Sequence, residues 1–280
     1  MLKLMQAESN QANEMYWQGR SFKKRAKNIS IWLLIFLIGL VSALTLEVRW
    51  GRMGTLATAI DTISRFWPPD ISIWSEMGMP VLETIMMALL GTVTSIVISI
   101  PVIIMAARNI KLPFKAAFYL LGRFVIIISR SVHELVWALI FVTALGLGAF
   151  PGVLALSVRS VGFISKMMAE SIENINEDQV EAIVATGANP VQVWIYGIIP
   201  QIIPTLIAVL IYRWDVNFRA STILGVVGAG GVGYLLDIAM KTYTYGRATA
   251  VILVIILLVG IGELTSAKLR DKYVKEGIGG

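Results

Sequence analysis

Arg130, His133 and Glu134 stand within five positions of one another, and Arg213, Asp215, Asn217 and Arg219 form a second polar group inside an otherwise apolar stretch. The first group begins like the His-Glu-x-x-His signature of zinc hydrolases. Trp137, however, occupies the second histidine position and His133 is the only histidine in the chain, so a zinc ion cannot be held that way. Gly228-x-Gly230-x-x-Gly233 matches a dinucleotide-binding turn letter for letter. That turn works between a strand and a helix, whereas here it lies between two apolar runs. There is no Gly-x-x-x-x-Gly-Lys-Ser/Thr run and no cysteine, which excludes a P-loop, a thiolate nucleophile and a disulfide frame. The absence of a Ser/His/Asp set or a histidine pair weighs against an intramembrane enzyme. The chemistry left is non-covalent: guanidinium groups offer several donors to the oxygens of an oxyanion.

Helical spacing sorts these residues. Asp215 and Arg219, four apart, can pair on one face, while Arg213 and Asn217 share a roughly opposite face with no partner in their own segment. The latter two are therefore candidates for a water-filled path. Arg130 and Glu134, also four apart, can neutralise each other. Two readings of His133 stay open, a hydrogen-bonded packing residue or a gate that senses pH.

The elements that must position these groups are membrane helices. Of 280 residues, 56% are hydrophobic and only 15% charged, and several uncharged runs approach or exceed the roughly 20 residues that cross a bilayer as helix. Backbone inside lipid must pair with itself, so helices are the expected form. The charges that end each run predict six spans, at residues 29–48, 81–107, 114–149, 151–172, 201–225 and 247–267. Residues 49–80 form the largest outer loop, and 271–280 a short tail. Residues 1–28 are long for a signal-peptide n-region and no small-x-small cleavage site stands out after the first apolar run, so residues 29–48 are expected to be a retained span. Met15 to Lys27, with Tyr16, Trp17 and Phe22, is either an interfacial helix or a frayed basic tail.

Fourteen lysines and arginines fall on one side of this arrangement, against Arg49, Arg52, Arg65, Lys241 and Arg247 on the other. Basic residues stay cytoplasmic during insertion, so both termini are placed inside. The net charge of +6 is then a topology signal rather than a nucleic-acid footprint. Five arginines remain within the spans: Arg123, Arg130, Arg159, Arg213 and Arg219. Facing lipid, they would cost about 12–18 kcal/mol together, more than a typical fold can spare. Most must face a partner, water or protein.

Residues 173–200 form a polar loop on the inner side. Asn176 is a good N-cap, and Gln179 can reach back to its N–H. Glu177 and Asp178 suit the positive end of a helix dipole. Gly187 can take the left-handed conformation that ends a helix, and Pro190 prevents its resumption. One short helix over residues 177–186 is predicted, outside the bilayer.

Glu181-Ala182-Ile183, three residues, Gly187, and then Ile199-Pro200 resembles the Glu-Ala-Ala motif of ABC-importer permeases, with departures at Ile183, Gly197 and Ile199. The order of spans from Glu83 to Arg270 and the glycine-rich turn 225–233 are similar to the five-span core of methionine-type importers. Residues 66–70 (Phe-Trp-Pro-Pro-Asp), 130–138 and 212–219 resemble the permease of phosphonate uptake systems, whose relatives carry phosphite and hypophosphite. His133 departs from the proline or asparagine expected there, which opens a changed preference or gate.

The resemblance implies an all-α integral membrane protein, a type I ABC importer transmembrane domain with about six spans, in the bacterial inner membrane. It implies that Glu177, Glu181, Ala182, Gly187 and Pro200 serve ATPase docking through a coupling helix. Arg130, His133, Glu134, Arg213, Asn217 and Arg219 are expected at a substrate path or gate. No cofactor is expected in this chain; ATP and magnesium would belong to two cytoplasmic ATPase subunits. The other implied partners are a second copy of the chain, a periplasmic or lipid-anchored binding protein, and membrane lipid, with no nucleic acid. A same-fold permease for methionine or another small solute is the rival reading. Proton-coupled transport is disfavoured because no inverted repeat is visible.

Overall fold

A computed structural model describes residues 27–45, 55–110 and 114–275. The proposed interfacial segment before Lys27, Trp50, and the last five residues of the C-terminal tail lie outside them. The chain divides into two compact units, Met1–Ile60 and Asp61–Gly280. Within the first, the described span is α1, Lys27–Thr45, whose leucine, isoleucine and phenylalanine side chains are exposed, as befits a helix facing lipid. Leu56–Ser64 is α2.

The second unit is built from α3 (Gly78–Ala106), α4 (Lys115–Ser131), α5 (Glu134–Leu145), α6 (Ala149–Glu173), α7 (Glu177–Ala185), α8 (Pro190–Val193), α9 (Ile199–Leu224), α10 (Gly231–Lys241) and α11 (Tyr245–Arg270). Five helical segments among the described residues are long and apolar enough to cross a bilayer, or six if the bent pair α4–α5 counts as one. Most hydroxyls inside these segments are satisfied locally, the buried Ser165 and Ser266 being without a partner among the described residues. Thr92 and Thr94, for example, donate to the carbonyls of Ala88 and Leu90 at 2.8 and 2.6 Å, which removes the penalty of an unpaired donor in lipid.

The centre of the unit is α6, which packs against α3, α4, α5 and α9. Its small residues Gly152, Ala155, Ser157, Ser160, Gly162 and Ala169 are buried, and small side chains let helix backbones approach closely in a membrane. At one crossing a Cβ on Gly91 of α3 would lie 2.8 Å from Cβ of Leu156. Around this contact the hydroxyls of Thr94 and Ser157 hydrogen-bond across the interface.

Two expectations about the spans are corrected. Residues 114–149 are not one helix: α4 and α5 meet at a bend of 93°, and α6 already starts at Ala149 rather than at Pro151. The break falls at Val132–His133, where both residues are extended and His133 Nδ1 accepts the N–H of Leu135 at 3.3 Å to cap α5. Span five is also longer than the expected 201–225. A wide five-residue turn, Trp194–Ile198, joins α8 directly to α9. A proline's ring clashes with the carbonyl four residues back in a regular helix, and widening the turn just before Pro200 relieves that contact.

α9 ends at Leu224 and the chain turns sharply into α10. Gly228, Gly230 and Gly231 have φ of 88°, 75° and 70°, a region that side chains other than glycine's resist. The first free N–H groups of α10 are satisfied from α3. Glu83 Oε2 accepts from Gly231 and Thr84 Oγ1 from Val232, both at 2.9 Å. Glu83→Ala is expected to lower stability by about 1 kcal/mol, the usual worth of a helix cap, and thermal unfolding in detergent measures it.

Candidate functional site

Two constellations are candidates, one at the inner end of the core and one in its interior. The inner one is α7 and its supports. Asn176 caps α7 as expected, its side chain accepting from Asp178 N–H at 2.9 Å. The partner of Asn176's own N–H is not Gln179, as the local pattern suggested, but Gln201 Oε1 at 2.8 Å. Gln201 Nε2 also donates to the Gly197 carbonyl at 2.7 Å, so one side chain on α9 ties both ends of the loop. α7 stops at Ala185, one residue short of the expected 186, and Gly187 follows with φ of 82°. Pro190 then opens α8 behind a capping box made by Asn189 and Gln192.

Gly197, where the motif has isoleucine, lies under α7. A Cβ there would meet Ile183 Cδ1 at 3.4 Å and Val180 Cα at 3.7 Å, so a larger side chain would lift the helix. Glu177 and Glu181 are exposed and border a cavity of about 680 Å³ floored by Ile172, Ile175, Trp194 and Ile198. Ala182 is exposed, as is Pro200 at the start of α9. The root of the loop is fastened by Glu173, the last residue of α6. It accepts from Arg123 Nη2 at 2.9 Å and from the backbone N–H of Arg108 at 3.0 Å.

The interior constellation joins α3, α6 and α9. Arg213 and Asn217 are buried, and they are not unpartnered as the sequence suggested. Arg213 Nη2 donates to Asn217 Oδ1 at 2.9 Å and to Ser160 Oγ at 2.7 Å. Ser160 Oγ donates to the same Asn217 oxygen at 2.9 Å, and Asn217 Nδ2 donates to Thr92 Oγ1 at 2.9 Å. The guanidinium also lies 5.2 Å from the ring centroid of Phe163, a cation–π contact. No carboxylate joins this network, so Arg213 is a buried cation held by neutral oxygens and a ring, and its Nε has no partner.

Asp215 and Arg219 do pair, at 2.6 Å. Arg130 and Glu134 do not, because the bend removes the continuous helix on which their spacing would have placed them together. Glu134 instead sits against Arg159 of α6 at 3.5 Å and His133 Nε2 at 3.6 Å. Arg130 is exposed and makes no ion pair among the described residues. His133 is hydrogen-bonded, as the cap of α5, but its side chain is 59% exposed rather than packed inside. Arg159 Nη1 donates to the carbonyls of Arg130 and Val132, which the break leaves without helical partners. Arg159, Ser160 and Thr92 were absent from the expected path residues. Arg159 alone was signalled, as an arginine with no local partner in an apolar span.

Glu134, Tyr212, Asp215, Val216, Arg219, Ala220 and Ile223 line an open cavity of about 400 Å³ on the flank of α5 and α9. A family model described as the binding-protein-dependent transport system inner membrane component matches residues 99–267. The chain belongs to this family. The matched region contains α7 with its supports and, apart from Thr92, the interior constellation, and the permease is therefore an inner-membrane transport component. It is 39% identical over 241 residues to the phosphite transport system permease protein PtxC of Stutzerimonas stutzeri, covering 86% of this chain and 85% of that protein. It is 37% identical over 208 residues to the phosphate-import permease protein PhnE of Mycolicibacterium smegmatis, covering 74% of this chain and 39% of that longer one. Among solved structures, the inward-facing MetNI methionine ABC transporter aligns with a TM-score of 0.60 at 22% identity, over 72% of this chain and 98% of the solved one. The fold is that of a type I ABC importer transmembrane domain, as the order of spans implied.

Proposed function

We propose that this permease is the membrane subunit of an ABC importer for phosphorus oxyanions of the phosphite and phosphonate class, working by alternating access. The observation that carries the reading is the 39% identity to a phosphite permease over 86% of the chain. The arginines grouped on α6 and α9 support it, since an anion crossing lipid needs fixed positive charge along its way. Two copies of the chain would enclose the path, with Arg130, His133, Glu134, Arg213, Asn217 and Arg219 at or beside it. A periplasmic or lipid-anchored binding protein would deliver the solute, and two cytoplasmic ATPases would supply ATP and magnesium. The chain itself would carry no catalytic site.

Glu177, Glu181, Ala182, Gly187 and Pro200 form the ATPase contact in this reading. Val184, 53% exposed on a helix outside the bilayer, supports a docking role, as do the two exposed glutamates around the apolar cavity. Glu181→Ala and Gly187→Val are expected to lower uptake by about fivefold or more, within the range of ordinary coupling energies, while ATP hydrolysis continues. Transport and hydrolysis measured together in proteoliposomes check this; normal uptake in both variants would remove α7 from the coupling role. Competition of labelled phosphite uptake by phosphite, methylphosphonate and methionine tests the substrate class. Inhibition by methionine as strong as that by unlabelled phosphite, with none by methylphosphonate, would favour the amino-acid reading.

A further inference from the structure

Glu134 is the least expected neighbour for an anion path. It lines the open cavity on α5 and α9 together with Asp215 and Arg219, so two carboxylates face a space from which a solute would reach Arg159 only by moving Glu134 aside. Asp215 is neutralised by Arg219 at 2.6 Å. Glu134 is held by Arg159, but at 3.5 Å from Nε, beyond the short distances of a well-formed charge-assisted hydrogen bond. Arg159 Nη1 is meanwhile fixed by the carbonyls of Arg130 and Val132, and Ser160, the next residue on α6, carries Arg213. Three guanidinium groups, on Arg159, Arg213 and Arg219, thus meet two carboxylates, leaving one positive charge that no described side chain in the cluster balances.

We infer that Glu134 is an internal stand-in for the transported oxyanion, occupying Arg159 when the permease is empty and leaving it when the solute arrives. The inference rests on the oxyanion reading above. A carboxylate and a phosphite or phosphonate present similar oxygens to a guanidinium, and Arg159 is already oriented by the backbone carbonyls it holds. Glu134 keeps its charge when it leaves Arg159, and the one guanidinium charge left unbalanced in the cluster offsets the arriving anion. Glu134 opens α5 directly after the 93° break, so its displacement requires movement only at the first turn of a short helix. The device keeps affinity for the solute low, which a carrier needs in order to release it, and it fills the cationic site between cycles. Glu134 and Arg159 are accordingly specificity-determining residues of this path.

The test uses the complete transporter, with its ATPase and binding protein, in nanodiscs and proteoliposomes. Wild-type uptake of phosphite is measured first; failure to take up phosphite, phosphate or methylphosphonate would overturn the oxyanion reading itself. Given uptake, Glu134→Gln without ATP or binding protein is expected to retain labelled phosphite at least tenfold more tightly than wild type, and to turn over more slowly. The double variant E134Q/R159K is expected to lose that gain. Unchanged phosphite binding in Glu134→Gln, or a gain that persists in the double variant, would overturn the exchange while leaving the transport function intact. If Glu134→Gln does not assemble, Glu134→Asp gives the same information: its shorter side chain reaches Arg159 less well, so a smaller gain in binding is expected and none would refute the idea. A purely structural salt bridge would lower stability in these variants but would not raise affinity for phosphite.

Discussion

Replacing Asn217 by leucine is expected to destabilise the permease by about 3 kcal/mol, because a buried charge loses an acceptor that the interior cannot otherwise supply. Asn217 Oδ1 accepts from both Arg213 and Ser160, and its amide reaches Thr92 on a third helix. Leucine has the same branching as asparagine but leaves the Arg213 guanidinium with only Ser160 and the Phe163 ring. The double variant R213L/N217L is expected to be more stable than N217L by about 1 kcal/mol or more, since removing both members of a buried polar pair leaves no stranded charge. Ser160 and Thr92 then have carbonyls of their own helices to bond, as Thr92 already does. Uptake is expected to stay impaired in the double variant if Arg213 serves the path, which separates folding from transport. Thermal unfolding in detergent supplies the cycle, and a double variant less stable than the single one would show that Arg213 is held by something other than this network.

This network shows where reading the chain alone succeeded and where it stopped. The demand that intramembrane arginines find partners is met by Arg123, Arg159, Arg213 and Arg219, because the cost of a lipid-facing cation depends only on residue type and depth. Which partners they find depends on how helices cross. Ser160 and Thr92 lie 53 and 121 residues from Arg213, and no periodicity within α9 points to them. The same limit applies at the inner loop. Asn176, Gly187 and Pro190 set the ends of α7 through local backbone preferences, so its extent was legible to within one residue. Gln201 was not, since its bond to Asn176 spans 25 positions. Arg130 and Glu134 failed for another reason. Their spacing implies a pair only on an unbroken helix, and the chain breaks between them at a histidine that caps the next segment.

Gly233→Ala is expected to impair folding severely, although the backbone of Gly233 does not have a positive φ. A Cβ on Gly233 would fall well inside van der Waals contact of the Thr222 carbonyl oxygen, and 3.1 Å from both Cα and N of Gly225. A Cβ on Gly225 would in turn collide with the backbone at Tyr234 and Gly230. The end of α9 and the start of α10 therefore touch backbone to backbone, with no flexible side chain to give way. Separating them would also pull Gly231 and Val232 from Glu83 and Thr84, so overpacking and lost caps add. Together these are expected to destabilise the protein by about 3 kcal/mol or more. Gly260→Ala on α11 is the control: nothing lies within 4 Å of its added methyl, and alanine is the better helix former by up to about 1 kcal/mol. Membrane accumulation and thermal unfolding of the two variants should move in opposite directions. Equal stability would mean that α9 and α10 can part without loss, and that the close approach does not hold the turn.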